Sequence, residues 1–237
     1  MKTLKLIKKF LTFILLIIVL LSAILIAGGW GKYKQALVNI PLETAVQNVR
    51  NGESFTELSD ISLTFVNAMV AVEDRRFYKH NGVDIIGVAR AFKNNIDNRE
   101  LAEGGSCITQ QLAKNLYFMN DNSITRKIAE VFMALDIEKK YSKEEILETY
   151  FNVIYYGSGY YNIADAAEGY FDKTPASLSD YEATLLAGIP NAPSVYSLDN
   201  NPLLAEKRQK TVLESMVNMK YLTQEEADEI LSMQKHT

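Results

Sequence analysis

Around Glu73 the chain reads EDRRFYKHNGVD, and at helical spacing Val66, Met69, Val70, Glu73 and Phe77 share one stripe. A carboxylate that interrupts an apolar face must find a cationic or hydrogen-bonding partner or have its pKa raised, and either outcome suits a general acid or base. A structural carboxylate that caps or salt-bridges fits the same spacing. Further on, in GGSCITQQLAKNLY, Gly104 and Gly105 lead to Ser106 as a cap, and the helix that follows sets Ile108, Leu112 and Leu116 on one side. Gln110 and Lys114, four apart, share the other side with Gln111 nearby. A helix N-terminus carrying a hydroxyl, two amides and a lysine suits sugar hydroxyls and an anion such as phosphate, although a capped surface helix reads the same way. In the next helical stretch, from about Ser123 to Lys140, Ile124, Ile128, Val131, Phe132 and Leu135 form the expected buried stripe. Arg126 and Glu130 lie on another face, continued by Met133 and Ile137, with Lys127 one residue round. An exposed Arg–Glu pair at this spacing contributes little, but the apolar neighbours argue that this face too is covered.

Other chemistries lack their residues. The histidines are His80 and His236, so neither a Ser-His-Asp arrangement nor a His-Glu-x-x-His metal site can be drawn. His80 reads as a packing or hydrogen-bonding residue, and Cys107 as a small packing residue.

The elements that must position these side chains read as helix after helix. Ser142 to Glu145, Ser179 to Glu182 and Thr223 to Glu226 are capping boxes at the start of apolar-periodic runs. Asp84 is the expected N-cap of a helix carrying Ile85, Ile86, Ala89 and Phe92, and Asn201-Pro202 opens one that runs through Val212, Met216 and Met219. Val153 to Tyr156 and Val195 to Leu198 are candidates for short extended pieces. A mainly α domain is expected. Between residues 34 and 62 the helical pattern is modest and breaks at Asn51-Gly52, which suits a connector or an amphipathic piece resting on a membrane surface.

Lys2, Lys5, Lys8 and Lys9 precede an uncharged stretch from Phe10 to Ala27 whose polar residues are Thr12 and Ser22. As a helix those residues would span roughly 27 Å, near the thickness of a bilayer core. The lysines belong on the cytoplasmic side, and Trp30 falls where an interfacial aromatic is expected. A cleaved signal peptide is disfavoured because the run exceeds a usual apolar core of roughly 7–15 residues. The expected division is therefore a cytoplasmic tail (1–9), a transmembrane anchor (10–30), a connector or jaw segment (31–60) and an extracytoplasmic domain (61–237). Of the 25 Lys and Arg, six lie in or beside the anchor, leaving 19 against 29 acids outside, so a general nucleic-acid-binding surface is excluded. One cysteine allows no internal disulfide, and the domain must rest on its core.

Taken in order, EDRRFYKHNGVD, GGSCITQQLAKN, RKIAE, KEEILETYFNVIYYG and AAEGYFDKTPASLSDYEATLLAGIPNAPSVY resemble the successive motifs of the family 51 peptidoglycan glycosyltransferases. The resemblance covers roughly residues 60 to 198, and nothing resembling the transpeptidase domain of class A penicillin-binding proteins follows, which implies a monofunctional form. It implies a lysozyme-like helical domain with a small membrane-facing jaw, and polymerisation of lipid II into β-1,4-linked glycan with inversion and release of undecaprenyl diphosphate. By motif, Glu73 takes the place of the general base and Glu130 that of the second catalytic glutamate. Lys114, Arg126 and Lys127 match residues that neutralise the diphosphate; Asp74, Phe77, Ser106, Gln110 and Gln111 match substrate-binding positions. The resemblance further implies assistance by Mg²⁺ or Mn²⁺, and as partners lipid II, the growing lipid-linked glycan, the membrane, transpeptidases and other wall-synthesis proteins. Three positions depart from the pattern: Cys107 replaces a usual Thr, Ala129 stands where some members have Lys, and Asn162 where Gly is common. A lytic, lysozyme-type hydrolase and an inactive wall scaffold are the alternatives; neither needs the cluster of Lys114, Arg126 and Lys127.

Overall fold

The computed structural model describes residues 2–98 and 105–233, so Gly104 and His236 lie outside the described residues. Every regular element among the described residues is helical. The first, α1 (Lys2–Asn39), exposes apolar side chains from Leu6 to Ile26 and is long and apolar enough to cross a membrane. It does not end near residue 30. Beyond Trp30 it continues to Asn39 and lies along α6 (Ile124–Lys140), so anchor and domain are joined without a loop. Gly29 permits the approach, since a Cβ there would lie 2.5 Å from the Ile128 side chain. Trp30 and Tyr33 then pack on Phe132, with ring centroids 5.0 and 5.8 Å away.

Residues 31–60, expected as a connector or jaw segment, send Tyr33, Leu42, Ala45 and Val46 into the core. After Pro41, α2 (Leu42–Arg50) buries Leu42, Ala45 and Val46 and packs on α7 (Lys143–Phe151). The i, i+3, i+4 spacing of those three residues gives the helix one apolar stripe, and the domain covers it. It stops at Asn51, as the Asn-Gly pair predicts.

At the centre lies α3 (Leu63–Glu73). Phe65, Ala68, Met69 and Ala71 are fully buried on different sides of it, which makes it a core helix enclosed by α9 (Asp180–Ala187) and α11 (Pro202–Asn218). Next to it, α5 (Ile108–Ala113) continues through a wider turn at Lys114–Phe118 and packs on α6 and α7. The outer helices are α4 (Ile85–Asn98), α8 (Ile163–Phe171), the single turn α10 (Pro193–Tyr196) and α12 (Gln224–Ser232). Ile85, Ile86 and Val88 of α4 stay exposed, as do Val38 and Ile40 around the end of α1.

The caps fall where the sequence puts them: Ser142, Ser179 and Thr223 accept the backbone N–H of Glu145, Glu182 and Glu226. Neither expected extended piece forms. Residues 153–156 turn because Val153 and Ile154 both donate to the Tyr150 carbonyl, and Pro193 starts a helical turn that takes in Val195 and Tyr196. The burial of α6 also differs from the expected stripe. Ile124 is 72 % exposed and Leu135 lies at the surface, while Ala129, Glu130, Met133, Ala134 and Ile137 are buried. The helix is apolar on two faces. Its polar-looking face enters the domain because Arg126 and Lys127 satisfy Glu130 there, and the aliphatic face is left for α1.

Candidate active site

A cleft of roughly 850 Å³ opens between the end of α3, the start of α5, the first turns of α6 and the middle of α11. Eight of the ten residues predicted from sequence line it: Glu73, Ser106, Gln110, Gln111, Lys114, Arg126, Lys127 and Glu130.

Glu73 is the last residue of α3, where the apolar helix delivers it to the cleft floor, and the chain then leaves the helix at Asp74. Its side chain is 8 % exposed. One carboxylate oxygen, Oε2, accepts from Gln111 Nε2 at 2.7 Å, and Gln111 Oε1 in turn accepts from the Tyr150 hydroxyl at 2.8 Å. The other oxygen, Oε1, is buried without a hydrogen bond, with the Arg208 guanidinium 3.9 Å away. Burial raises the Glu73 pKa above the ordinary carboxylate value; the Gln111 amide and the Arg208 charge oppose that rise, and Asp74 adds to it. The result is a largely buried carboxyl group on the cleft floor with one oxygen that accepts no hydrogen bond.

Three predicted residues have other duties. Asp74 is buried and faces away from the cleft, where Oδ2 accepts the Ile108 N–H at 3.1 Å and His80 Nε2 at 2.9 Å. It thereby places a carboxylate at the N-terminus of α5, where the helix dipole favours one. Phe77 is fully buried beneath Lys143, whose ammonium lies 4.3 Å from the ring centroid. Neither residue reaches the cleft, because both continue the chain into the core after α3 has ended. Ser106 is not the cap of α5 either. Cys107 holds that position, its N–H donating to Gln110 Oε1 at 3.3 Å, and Ser106 instead accepts from Lys127 Nζ. Gln110 is thus a capping partner at the cleft edge, and Gln111 is committed to Glu73 and Tyr150.

On the opposite wall Ser123 caps α6, and the first turns present Arg126 and Lys127. Glu130 is fully buried between them: Oε1 pairs with Arg126 Nη1, and Oε2 accepts from Lys127 Nζ at 2.8 Å. Lys114, at the wide turn of α5, is exposed to the cleft and has no ion-pair or hydrogen-bond partner among the described residues. Such turns recur at functional sites because they re-aim a side chain out of helical register. Arg75, Arg90 and Arg208 line the cleft as well, so six cations face two carboxylates there, although the whole chain carries a net charge of −4.

Sequence reasoning missed Arg208, Tyr150, Arg75 and Arg90. Arg75 lies inside the EDRRF motif and could have been found; Arg208 reads like a solvated charge in EKRQK, and Tyr150 like a core aromatic. His80 packs as expected, and Cys107 is buried, its Sγ 3.0 Å from the Gly82 carbonyl. Asp74, His80 and Cys107 form the one group of possible metal ligands among the described residues. An imidazole, a thiol and a carboxylate already accepting two hydrogen bonds do not suit Mg²⁺ or Mn²⁺, which take oxygen ligands. Both oxygens of Glu130 are also occupied.

Comparison with known proteins adds relatives. The family model described as Transglycosylase matches residues 41–217. Penicillin-binding protein 1A of Neisseria gonorrhoeae is 44 % identical over 182 residues, covering 77 % of this chain and 23 % of that protein. Penicillin-binding protein 2D of Bacillus subtilis is 41 % identical over 224 residues, covering 90 % and 32 %. The chain therefore spans only 23 % to 32 % of the length of these relatives. A crystal structure of penicillin-binding protein 1A from Haemophilus influenzae superposes with a TM-score of 0.44 at 23 % identity, over 75 % of this chain and 17 % of that one.

Proposed function

Because this chain belongs to the transglycosylase family, we propose that it is a peptidoglycan glycosyltransferase that polymerises lipid II into β-1,4-linked glycan. The 4-hydroxyl of the acceptor's N-acetylglucosamine attacks C1 of the N-acetylmuramic acid that ends the lipid-linked donor. Its proton passes to Glu73, the C1–oxygen bond to the diphosphate breaks with inversion, and undecaprenyl diphosphate leaves. Glu73 is suited to take that proton because it is largely buried and Oε1 accepts no hydrogen bond, its nearest cation being Arg208 at 3.9 Å. Charge builds on the diphosphate as it departs, and fixed cations aimed at it stabilise that charge more in the transition state than in the ground state. Lys114, Arg126 and Lys127 fill this role, with Glu130 holding the latter two in place.

The observation that carries this reading is the cleft's charge: six cations beside two buried carboxylates, in a chain of net negative charge. A hydrolase acting on finished glycan meets no diphosphate leaving group and has no use for that excess. Mg²⁺ or Mn²⁺ would be held mainly by the substrate's own diphosphate oxygens. We further propose that the N-terminus is cytoplasmic and the domain extracytoplasmic, where both substrates are anchored, and that a crosslinking transpeptidase consumes the product.

The test is incubation of the purified chain with labelled lipid II. Polymer formation with release of undecaprenyl diphosphate is expected; release of reducing ends from finished glycan, with lipid II untouched, would show a lytic enzyme instead. In intact spheroplasts, added protease should digest the domain, and its protection would overturn the proposed orientation.

A further inference from the structure

We propose that Tyr150 is a positioning residue for the base: its hydroxyl fixes the side-chain amide of Gln111 in the one orientation that donates to Glu73 Oε2 and leaves Oε1 without a hydrogen bond. The inference rests on the reading of Glu73 as base and adds a residue that lies outside the cleft.

A Gln side chain ends in a donor and an acceptor of nearly equal size, so it can face a carboxylate either way round. Gln111 reaches Glu73 Oε2 at 2.7 Å, and with nitrogen toward the carboxylate it stabilises the ionised, proton-accepting form. Turned over, the amide oxygen would face Glu73, an arrangement satisfied only when Glu73 is protonated and donates. What selects the first orientation lies on the far side of the amide. There the Tyr150 hydroxyl sits 2.8 Å from Gln111 Oε1. Tyr150 is fully buried in α7, among apolar neighbours that include Phe151, and burial holds its hydroxyl far above the usual phenol range, so it stays a donor. A buried donor with Gln111 as its hydrogen-bond partner cannot accept the flipped amide without losing its own bond. Tyr150, Gln111 and Glu73 are thus a directional chain from core to cleft.

The groups facing Glu73 are Arg208 from α11, Asp74 next in the chain, Gln111 from α5 and Tyr150 from α7. Arg208 and Asp74 are untouched by a change at Tyr150, so a variant there reports on the amide.

The test is the pH profile of lipid II polymerisation by Tyr150→Phe in the full-length chain. The acidic limb should move to higher pH, so that turnover on that limb falls about two- to tenfold, the range one net hydrogen bond represents. At the alkaline plateau turnover should return to near wild type, with KM unchanged. A purely packing role would lower the rate by the same factor at every pH, and that outcome overturns the proposal. Should Tyr150→Phe fold poorly, Gln111→Met gives the same readout, because removing the amide must move the limb at least as far; an unmoved limb again overturns it. Glu73→Gln separates the two layers of the argument. Activity in that variant sinks the base assignment itself, whereas an inactive Glu73→Gln beside an unmoved Tyr150→Phe limb sinks this inference alone.

Discussion

The two walls of the cleft each hold a buried glutamate, and they hold it in opposite ways. On the α3 wall Glu73 has one oxygen on a neutral amide and the other without a hydrogen bond, its nearest cation at 3.9 Å. On the α6 wall Glu130 has both oxygens on cations, Arg126 and Lys127, and no exposed surface. The difference separates two uses of the same residue type. A carboxyl group whose charge is left poorly compensated is ready to take a proton, whereas one clamped between two cations serves to fix those cations where an anion will need them.

The strongest way to break this contrast is to remove each carboxylate while keeping its shape. Glu73→Gln should lower lipid II turnover by about 10²–10⁴, the contribution of a general base, with no fall in Tm. Glu130→Gln should also slow turnover, but with a loss of stability of about 1–3 kcal/mol in denaturant titration, because two cations lose their counter-charge and one of them meets an amide NH₂ in place of an oxygen. Equal stability of the two variants would erase the distinction. On the cationic side, Lys114→Ala and Arg126→Ala should each slow turnover by about 10². Arg126→Ala should lower Tm as well, since it strips Glu130 of a partner, while Lys114→Ala, which loses no ion pair, should not. Near-normal turnover in both would place the diphosphate elsewhere.

The pH dependence sharpens the same contrast at smaller scale. Because burial raises the Glu73 pKa above its value in the unfolded chain, the folded state binds the extra proton. Its contribution to stability is therefore present at low pH and lost as pH rises through the folded pKa. Turnover moves the other way, rising as Glu73 ionises. Tm measured against pH above the ordinary carboxylate range should fall less steeply in Glu73→Gln than in wild type. The smallest expected effect is at Cys107, where burial pushes the thiol up to about 12. A thiol reagent at pH ~8 should label the chain only after denaturation. Cys107→Thr, which exchanges the thiol for a hydroxyl at nearly the same size, should change turnover by no more than about threefold, below one net hydrogen bond.

Eight of the ten predicted site residues reach the cleft because local spacing carries real information there: Arg126 and Glu130 are one helical turn apart, and so are Gln110 and Lys114. Asp74 and Phe77 share the first motif with Glu73 but not its destination, since α3 ends between them and the chain turns inward. Arg208 and Tyr150 were invisible for a different reason. Arg208 lies 135 residues beyond Glu73 and Tyr150 lies 39 beyond Gln111, and no periodicity links side chains across such gaps.

Helix starts, the long apolar N-terminal run and the order of the motifs follow from the sequence alone, because caps, hydropathy and short spacing are set by neighbours along the chain. Which face of α6 turns inward was decided by tertiary structure: both faces are apolar enough to bury, and the choice waits on α1 covering one and on Arg126 and Lys127 neutralising Glu130 on the other. The same holds for the state of Glu73. Its burial, its amide partner and its free oxygen come from helices distant in sequence, and a carboxylate's chemistry is set by what surrounds it in space.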